Sequence, residues 1–477
     1  MTRYSIVSMA SAAAMALVSG PRLVLGACGF DSIDVTTTPG FTLTTNDDYK
    51  VLEDTVAKTK YGLYCDSQPS GVNGIDKWFK VPVESVGIRV PVASGFLEIL
   101  RKSKAIAAAE DPSTLTNICV DTSSLATLNS SSTVDVVFSS DANSDGDKSV
   151  RLPSDDSLTP LQKAEWVKFV SAFFNEEKTA NTLFSSIADA YDCHRGNLQH
   201  LASAPHVYWV QYTENDSSHD DKPTYNIIDT AYQKEILAAS GVTNDNNAPP
   251  SDATDQAAFQ AAVADAQFVF DQSNLTEYGM RASEWYHDFG YTDAQNSDAV
   301  FLEQRSIWRT DKYTNKNGVS NFPEFAYVRP DLVLQDLISV IEPTYNSSYT
   351  KRWMLWLGGT SEATVTIDSE NYNCAAPWLV QVTACSARTD FTGDESSASS
   401  SSDKEGDESS DHSGSSSRAG KIAGGVIGAL AVVILAFVAL HYFNRHRQRA
   451  RIRALSGASG FGGESIGLHD TRPRVYS

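Results

Sequence analysis

Residues 422–443 read IAGGVIGALAVVILAFVALHYF and run directly into NRHRQRARIR. A bilayer core takes roughly 20 apolar residues in a helix, so residues 421–443 are read as one membrane span. Arg445, Arg447, Arg449, Arg451 and Arg453 follow it, which places the tail 444–477 in the cytosol by the positive-inside rule. Everything ahead of the span is then expected outside the cytosol, at the cell surface or in an endomembrane lumen. A chain with this topology must fold as an external cargo carried on a single helix near its end.

The amino terminus fits that topology. Arg3 precedes an apolar, small-residue run, and Val24-Leu25-Gly26 offers a cleavage site, so residues 1–26 read as a signal peptide, with an uncleaved anchor as the alternative. All six cysteines (Cys28, Cys65, Cys119, Cys193, Cys374, Cys385) lie in the external part, an even number that suits disulfides in an oxidising compartment. Sequence cannot choose among their pairings. Cys374 with Cys385 is the preferred local pair. Sequons at Asn129, Asn215, Asn274 and Asn346 all fall on the external side as well.

Residues 389–420 are serine, glycine and acidic residues with almost nothing to form a core, and read as a flexible, self-repelling stalk. The formal charge of −21 argues against nucleic acid and anionic lipid surfaces as partners. Between the signal segment and the stalk there is enough chain for two lobes. Trp166, Val170, Phe173, Ala180, Phe184, Ile187 and Tyr191 recur at three- and four-residue steps, which predicts one helix from Pro160 to Tyr191, about 45 Å long. On either side, short apolar strands alternate with helices: strands at 86–90, 134–138, 207–210, 268–270 and 299–302, helices at 229–239 and 330–341. That alternation predicts α/β lobes with mostly parallel sheets, 27–155 and 201–388, joined by the helical segment 156–200.

Three segments carry a family resemblance. Phe325-Ala-Tyr-Val-Arg-Pro-Asp-Leu-Val-Leu-Gln-Asp-Leu-Ile-Ser-Val-Ile-Glu-Pro343 resembles the ending of solute-binding proteins for iron–siderophore, haem and cobalamin uptake. The segment from Pro160 to Glu177 is similar to the connecting helix of their eukaryotic relatives, and Val86 to Leu100 to the first strand and helix of the amino lobe. The resemblance implies two α/β lobes joined by a long helix, a ligand in the cleft between them, and no catalysis. Bacterial members hand ligand to a transporter; this chain departs from them in ending with its own span. By position, Glu98 corresponds to the lobe-surface glutamate that those relatives dock on a transporter, and an ordinary solvated glutamate is the competing reading.

The chemistry visible in the residues is sparse. No GxSxG, HExxH, P-loop or GxGxxG sits at a strand–helix junction, so the commonest enzyme signatures are missing, and no cofactor is expected. Asp141-Ala-Asn-Ser-Asp-Gly146 imitates half a calcium loop, but the twelfth position, where a bidentate acid belongs, is Leu152; an acidic turn is the reading. His194, His200 and His206 are spaced for neither a helix face nor zinc, and read as solvated loop histidines. Ligands of α/β sheets sit beyond the carboxyl ends of strands. That rule selects Ser94, Trp209, Tyr212, Trp308 and Arg309, aromatic faces and an arginine suited to a large ligand with anionic or chelated oxygens. Against it stands the plain reading that Trp209 packs in the sheet and Arg309 pairs with Asp311. The functional expectation is a membrane-tethered protein that captures an iron chelate, haem or corrinoid-like ligand for uptake, with a transporter or endocytic partner. The alternatives are a sensor or adhesion protein on the same fold, or a surface enzyme.

Overall fold

The structure is a computed structural model that describes residues 29–393, except 39, 130, 154–156, 202–203, 243–249, 274–281, 292–298, 359–361 and 390. The signal segment, the span, the tail and nearly all of the stalk lie outside the described residues, as does Asn274. Among the described residues, no helix is long and apolar enough to cross a membrane.

The amino-terminal half holds two sheets. In the first, β1 (Phe41–Thr45), β2 (Tyr49–Asp54) and β3 (Thr59–Tyr64) form an antiparallel meander, and β4 (Lys77–Lys80) joins β3 in parallel. Strand β2 alternates buried and half-buried positions along its length, the period-two signature of a sheet with one covered face. The second sheet is parallel throughout: β5 (Val86–Ile88), β6 (Ile106–Ala109), β7 (Ala126–Thr127), β8 (Val136–Ser139) and β9 (Ser149–Arg151), in the order β7-β6-β5-β8-β9. Its central strands are buried on both sides, which is why they read as unbroken apolar runs. Helix α1 (Pro91–Ile99) leaves β5 with Pro91 in its first turn.

The carboxy-terminal half is built on β10 (Val207–Asp216), β11 (Lys222–Ile227), β12 (Phe268–Asp271), β13 (Ile307–Arg309) and β15 (Leu355–Trp356), in the order β11-β10-β12-β13-β15. The three central strands β10, β12 and β13 are parallel and the two edges antiparallel. A small pair, β14 (Tyr313–Thr314) with β16 (Val365–Thr366), lies apart. Helices α4 (Ala231–Ala239), α5 (Gln256–Ala262), α6 (Ala282–Asp288) and α7 (Val300–Glu303) occupy the crossovers, and α8 (Phe322–Phe325) and α9 (Pro330–Ile341) follow β13. The mixed α/β class is therefore as expected. One strand is not: Ala299–Leu302 is mostly the short helix α7, and the strand is Ile307–Arg309. Phe301 and Leu302 turn into a second core, a cluster of the carboxy-terminal half with Tyr212, Phe259, Trp285 and Ile307 that is separate from the main core.

The single helix expected from Pro160 to Tyr191 is two helices, α2 (Pro160–Ser171) and α3 (Glu177–Asn197). A 3₁₀ turn at Ala172–Phe174 and Asn175 in the left-handed region (φ 54°) separate them. The cause is a buried ammonium. Lys50 on β2 donates to the Ala172 carbonyl and to Asn175 Oδ1 and pairs with Glu177, so one cation takes the end of the first helix and the start of the second. Apolar periodicity continues through the break, which is why the pattern cannot reveal it. Helix α2 is buried almost all round and touches α1, α4 and α9. Its Trp166 and Phe169, with Phe173 of the 3₁₀ turn, head a ring cluster with Phe41, Tyr61, Phe79 and Phe138.

Candidate functional site between the two halves

Helix α1 meets α8 across the boundary between the halves at Gly95. A Cβ built there would lie 2.0 Å from the backbone oxygen of Glu324, so the two backbones touch. Around this contact lies a buried polar cluster. Asn117 donates to Ser94 Oγ at 3.0 Å and to Ser103 Oγ at 3.1 Å, while Ser103 and the Tyr372 hydroxyl (3.0 Å) both donate to Glu98. Glu324 on α8 accepts from the backbone N–H of Thr116 at 2.7 Å and from its hydroxyl. Burial pushes the Glu324 carboxyl up to about 7, with Ser94 and Thr116 pulling the other way and the neighbouring Glu98 adding to the rise. The same loop is fastened further along: Asn315 Nδ2 donates to the carbonyls of Ser113 (2.9 Å) and Leu115 (3.0 Å), and Asn317 Nδ2 to Ser113 (2.9 Å).

Over this cluster opens a cavity of about 840 Å³, walled by Pro112, Ser113 and Leu115–Ser123 from the amino half and by Asn315–Asn317 and Ile367 from the other. Its size is within the range of pockets that take whole organic ligands. The walls mix apolar side chains (Leu115, Ile118, Val120, Ile367) with hydroxyls, backbone amides, the exposed ammonium of Lys316 and the exposed carboxylate of Asp121. No histidine, tyrosine or methionine is among the described residues that line it, and Cys119 is in a disulfide. A second recess of about 180 Å³ at the start of α1 is apolar, lined by Val92, Phe96, Trp166, Pro323 and Tyr327 with Lys163.

Cys119 pairs with Cys374 and Cys193 with Cys385, so the expected Cys374–Cys385 pair is corrected. Proximity in sequence misleads because the segment between them is drawn across the core. Arg329 donates to the carbonyls of Leu379 and Gln381, and Leu379 is fully buried. Each end therefore meets the cysteine of another element. The first disulfide holds residues 372–381 over α1, and the second ties the chain to α3.

That strap also corrects the reading of Glu98. It is 2% exposed, under Tyr372, and is neither a solvated glutamate nor an open docking point. The five ligand candidates are not gathered on one open surface. Ser94 is buried in the cluster just described. Trp209 is a core residue against Phe270 and Phe322, as the plain reading has it. Arg309 is buried and held by Asp271 and Asp311, both at 2.8 Å, and burial raises the Asp311 carboxyl. Tyr212 packs with Tyr225 and Phe289 in the second core. Trp308 alone is half-open, stacked on Trp356 at 6.1 Å with Lys351 Nζ 4.8 Å from its ring. His194 is no loop histidine: it is buried on α3, with Nδ1 2.8 Å from the Tyr345 hydroxyl. His206 pairs with Asp265, and His200 is exposed. Asn129, Asn215 and Asn346 are exposed, as an acceptor of glycan must be.

Glu324, Thr116, Asn117 and Tyr372 were not singled out by sequence. Glu324 sits one residue ahead of the run that carries the family resemblance, and the loop 112–123 has no periodicity to read.

No protein-family model and no curated protein sequence matches this chain. Among solved structures it is similar to the periplasmic haem-binding protein HutB of Vibrio cholerae, at 12% identity over 54% of this chain and 99% of that one (TM-score 0.41). It is similar to a periplasmic binding protein from Veillonella parvula at 11% identity, over 57% and 88% (TM-score 0.39). For the periplasmic vitamin B12 binding protein BtuF of Vibrio cholerae the figures are 10%, 56% and 99% (TM-score 0.37).

Proposed function

We propose that this chain is a membrane-tethered, glycosylated solute-binding protein of the cell surface or endomembrane lumen, which captures its ligand between its two halves without turnover. The observation that carries this reading is the 840 Å³ cavity, whose walls come from both halves. A ligand seated there touches both and favours their closed arrangement, the general logic of a two-lobed binder. The resemblance of residues 325–343 to solute-binding proteins points the same way. The lining narrows the ligand. With no histidine, tyrosine or methionine in the lining and Asp121 as its one carboxylate, the site suits a coordinatively complete chelate better than haem. Backbone amides, hydroxyls and Lys316 suit an oxygen-rich, anionic periphery such as that of a ferric siderophore. The span at 421–443 acts as a tether, so uptake needs a transporter or internalisation.

Calorimetric titration of the detergent-solubilised full-length chain with a ferric hydroxamate siderophore, haem and cobalamin tests this. Saturable binding of the siderophore, weakened by Lys316→Glu, is the expected result. Lack of binding by all three, in protein whose circular dichroism shows it folded, removes the reading.

A second reading has its own support. Ser94, Trp209 and Arg309, expected to meet a ligand, are each buried in contacts with other side chains. That filling favours a sensor or adhesion protein that keeps the fold without transport, and it gains if the titrations fail.

A further inference from the structure

The acidic turn 141–149 holds a cation, and the cation is a side chain. Lys77, the first residue of β4, is 9% exposed and sends its ammonium into the turn. It donates to the carbonyls of Ala142, Gly146 (2.7 Å) and Ser149 (2.9 Å). An ammonium has three N–H bonds, and these three acceptors use them all. The carboxylates of Asp76, Asp141, Asp145 and Asp147 surround it electrostatically, offsetting the burial that lowers its proton affinity. Converging backbone carbonyls with carboxylates around them are what a hard cation such as Ca²⁺ takes as ligands. This is the segment whose sequence imitates a calcium loop, and Leu152 is fully buried at the position where the bidentate acid would fall.

We propose that Lys77 is a tethered cation standing where a calcium ion would otherwise sit, and that it orders the turn without metal. The consequence reaches further than the turn. Its Asp145 holds Arg89 at 2.6 and 2.7 Å, just past the end of β5, and Arg89 also pairs with Glu110 at 2.9 Å. The parallel sheet reverses its strand order between β5 and β8, so the turn and Arg89 together shape the crevice beyond that reversal, where a cavity of about 410 Å³ opens. Lys77 is thus a positioning residue for this end of the amino half.

The test is substitution in the full-length chain. Lys77→Ala removes the charge and leaves room; Lys77→Met fills the room and removes only the charge. In EDTA both variants are expected to melt roughly 5 °C below the parent. Millimolar CaCl₂ should restore most of that loss in Lys77→Ala, none in Lys77→Met, and leave the parent unchanged. The proposal is overturned if Lys77→Ala shows no calcium-dependent shift, or if calcium stabilises the parent equally. Should either variant fail to fold, the parent supplies a separate readout. Amine acetylation followed by peptide mass spectrometry should label exposed Lys316 at least tenfold faster than Lys77, and equal labelling overturns the assignment.

Discussion

Glu324 shows how much one buried carboxyl can set. Its proton affinity is raised from the usual 4.5 to about 7 because it is buried, and the Ser94 and Thr116 donors only partly offset that burial. The folded state therefore holds a proton that the unfolded chain releases, over the interval from about 4.5 to about 7. Stability from this group is complete below that interval, falls as pH rises through it, and stays low above; the displacement corresponds to roughly 3 kcal/mol. Glu324→Gln keeps an oxygen for Thr116 and cannot ionise. The variant should melt above the parent at pH 8 and match it near pH 4.5. Melting curves at unit steps of pH decide this, and a constant offset between the two proteins would show that Glu324 does not titrate in this range. Lys50 obeys the opposite logic. Its ammonium is buried with Glu177, and removing one partner of such a pair leaves the other charge uncompensated. Lys50→Met should therefore destabilise by about 3–5 kcal/mol in urea unfolding, far more than its loss of one ion pair at a surface would.

At the scale of elements, sequence was readable where periodicity or composition spoke and silent where a distant residue decided. Helix α9 follows from an apolar run opened by Pro330, and β8 and β12 from short apolar segments, since local pattern and burial agree there. The break between α2 and α3 was not readable, because its cause is Lys50, more than a hundred residues away at an inward position of its strand. Asn175 makes the break testable. Asn175→Gly keeps the left-handed backbone and loses the Lys50 acceptor, whereas Asn175→Ala loses both; the costs should be roughly 1 and 2–3 kcal/mol in urea unfolding. Similar values for the two would mean that the backbone conformation is not what Asn175 supplies. The candidate site was less legible than the fold for a related reason. Strand ends picked out Trp209 and Arg309, yet a strand end only becomes a binding surface if nothing covers it, and covering is a tertiary fact. The strap 372–381 is held by Cys119–Cys374, so non-reducing peptide mapping should recover peptides joining 119 to 374 and 193 to 385, and none joining 374 to 385.

For the whole molecule, the question is what holds the halves together around the cavity. The answer in the structure is direct contact: one apolar core shared by both halves, the Cys119–Cys374 disulfide, loop 112–117 hydrogen-bonded to Asn315, Asn317 and Glu324, and α1 lying on α8 with no side chain between them at Gly95. Such an arrangement favours closure before any ligand arrives, so a ligand entering the cavity adds only what it contributes beyond those contacts. Gly95→Ala tests this with one methyl group. The new carbon would meet a backbone oxygen, which cannot rotate aside as a side chain could, so the helices must separate. Each half keeps its own sheet and most of its own packing, because the added carbon faces the boundary. The variant is expected to stay folded by circular dichroism, to show a larger radius of gyration by small-angle scattering, and to lose at least tenfold in affinity for whichever solute the parent binds. An unchanged radius together with unchanged affinity would mean that the α1–α8 contact does not govern closure. Loss of affinity at unchanged radius would instead place the effect of Gly95 on the Glu98–Asn117–Glu324 cluster beneath the cavity, and Glu324→Gln in the same titration separates the two.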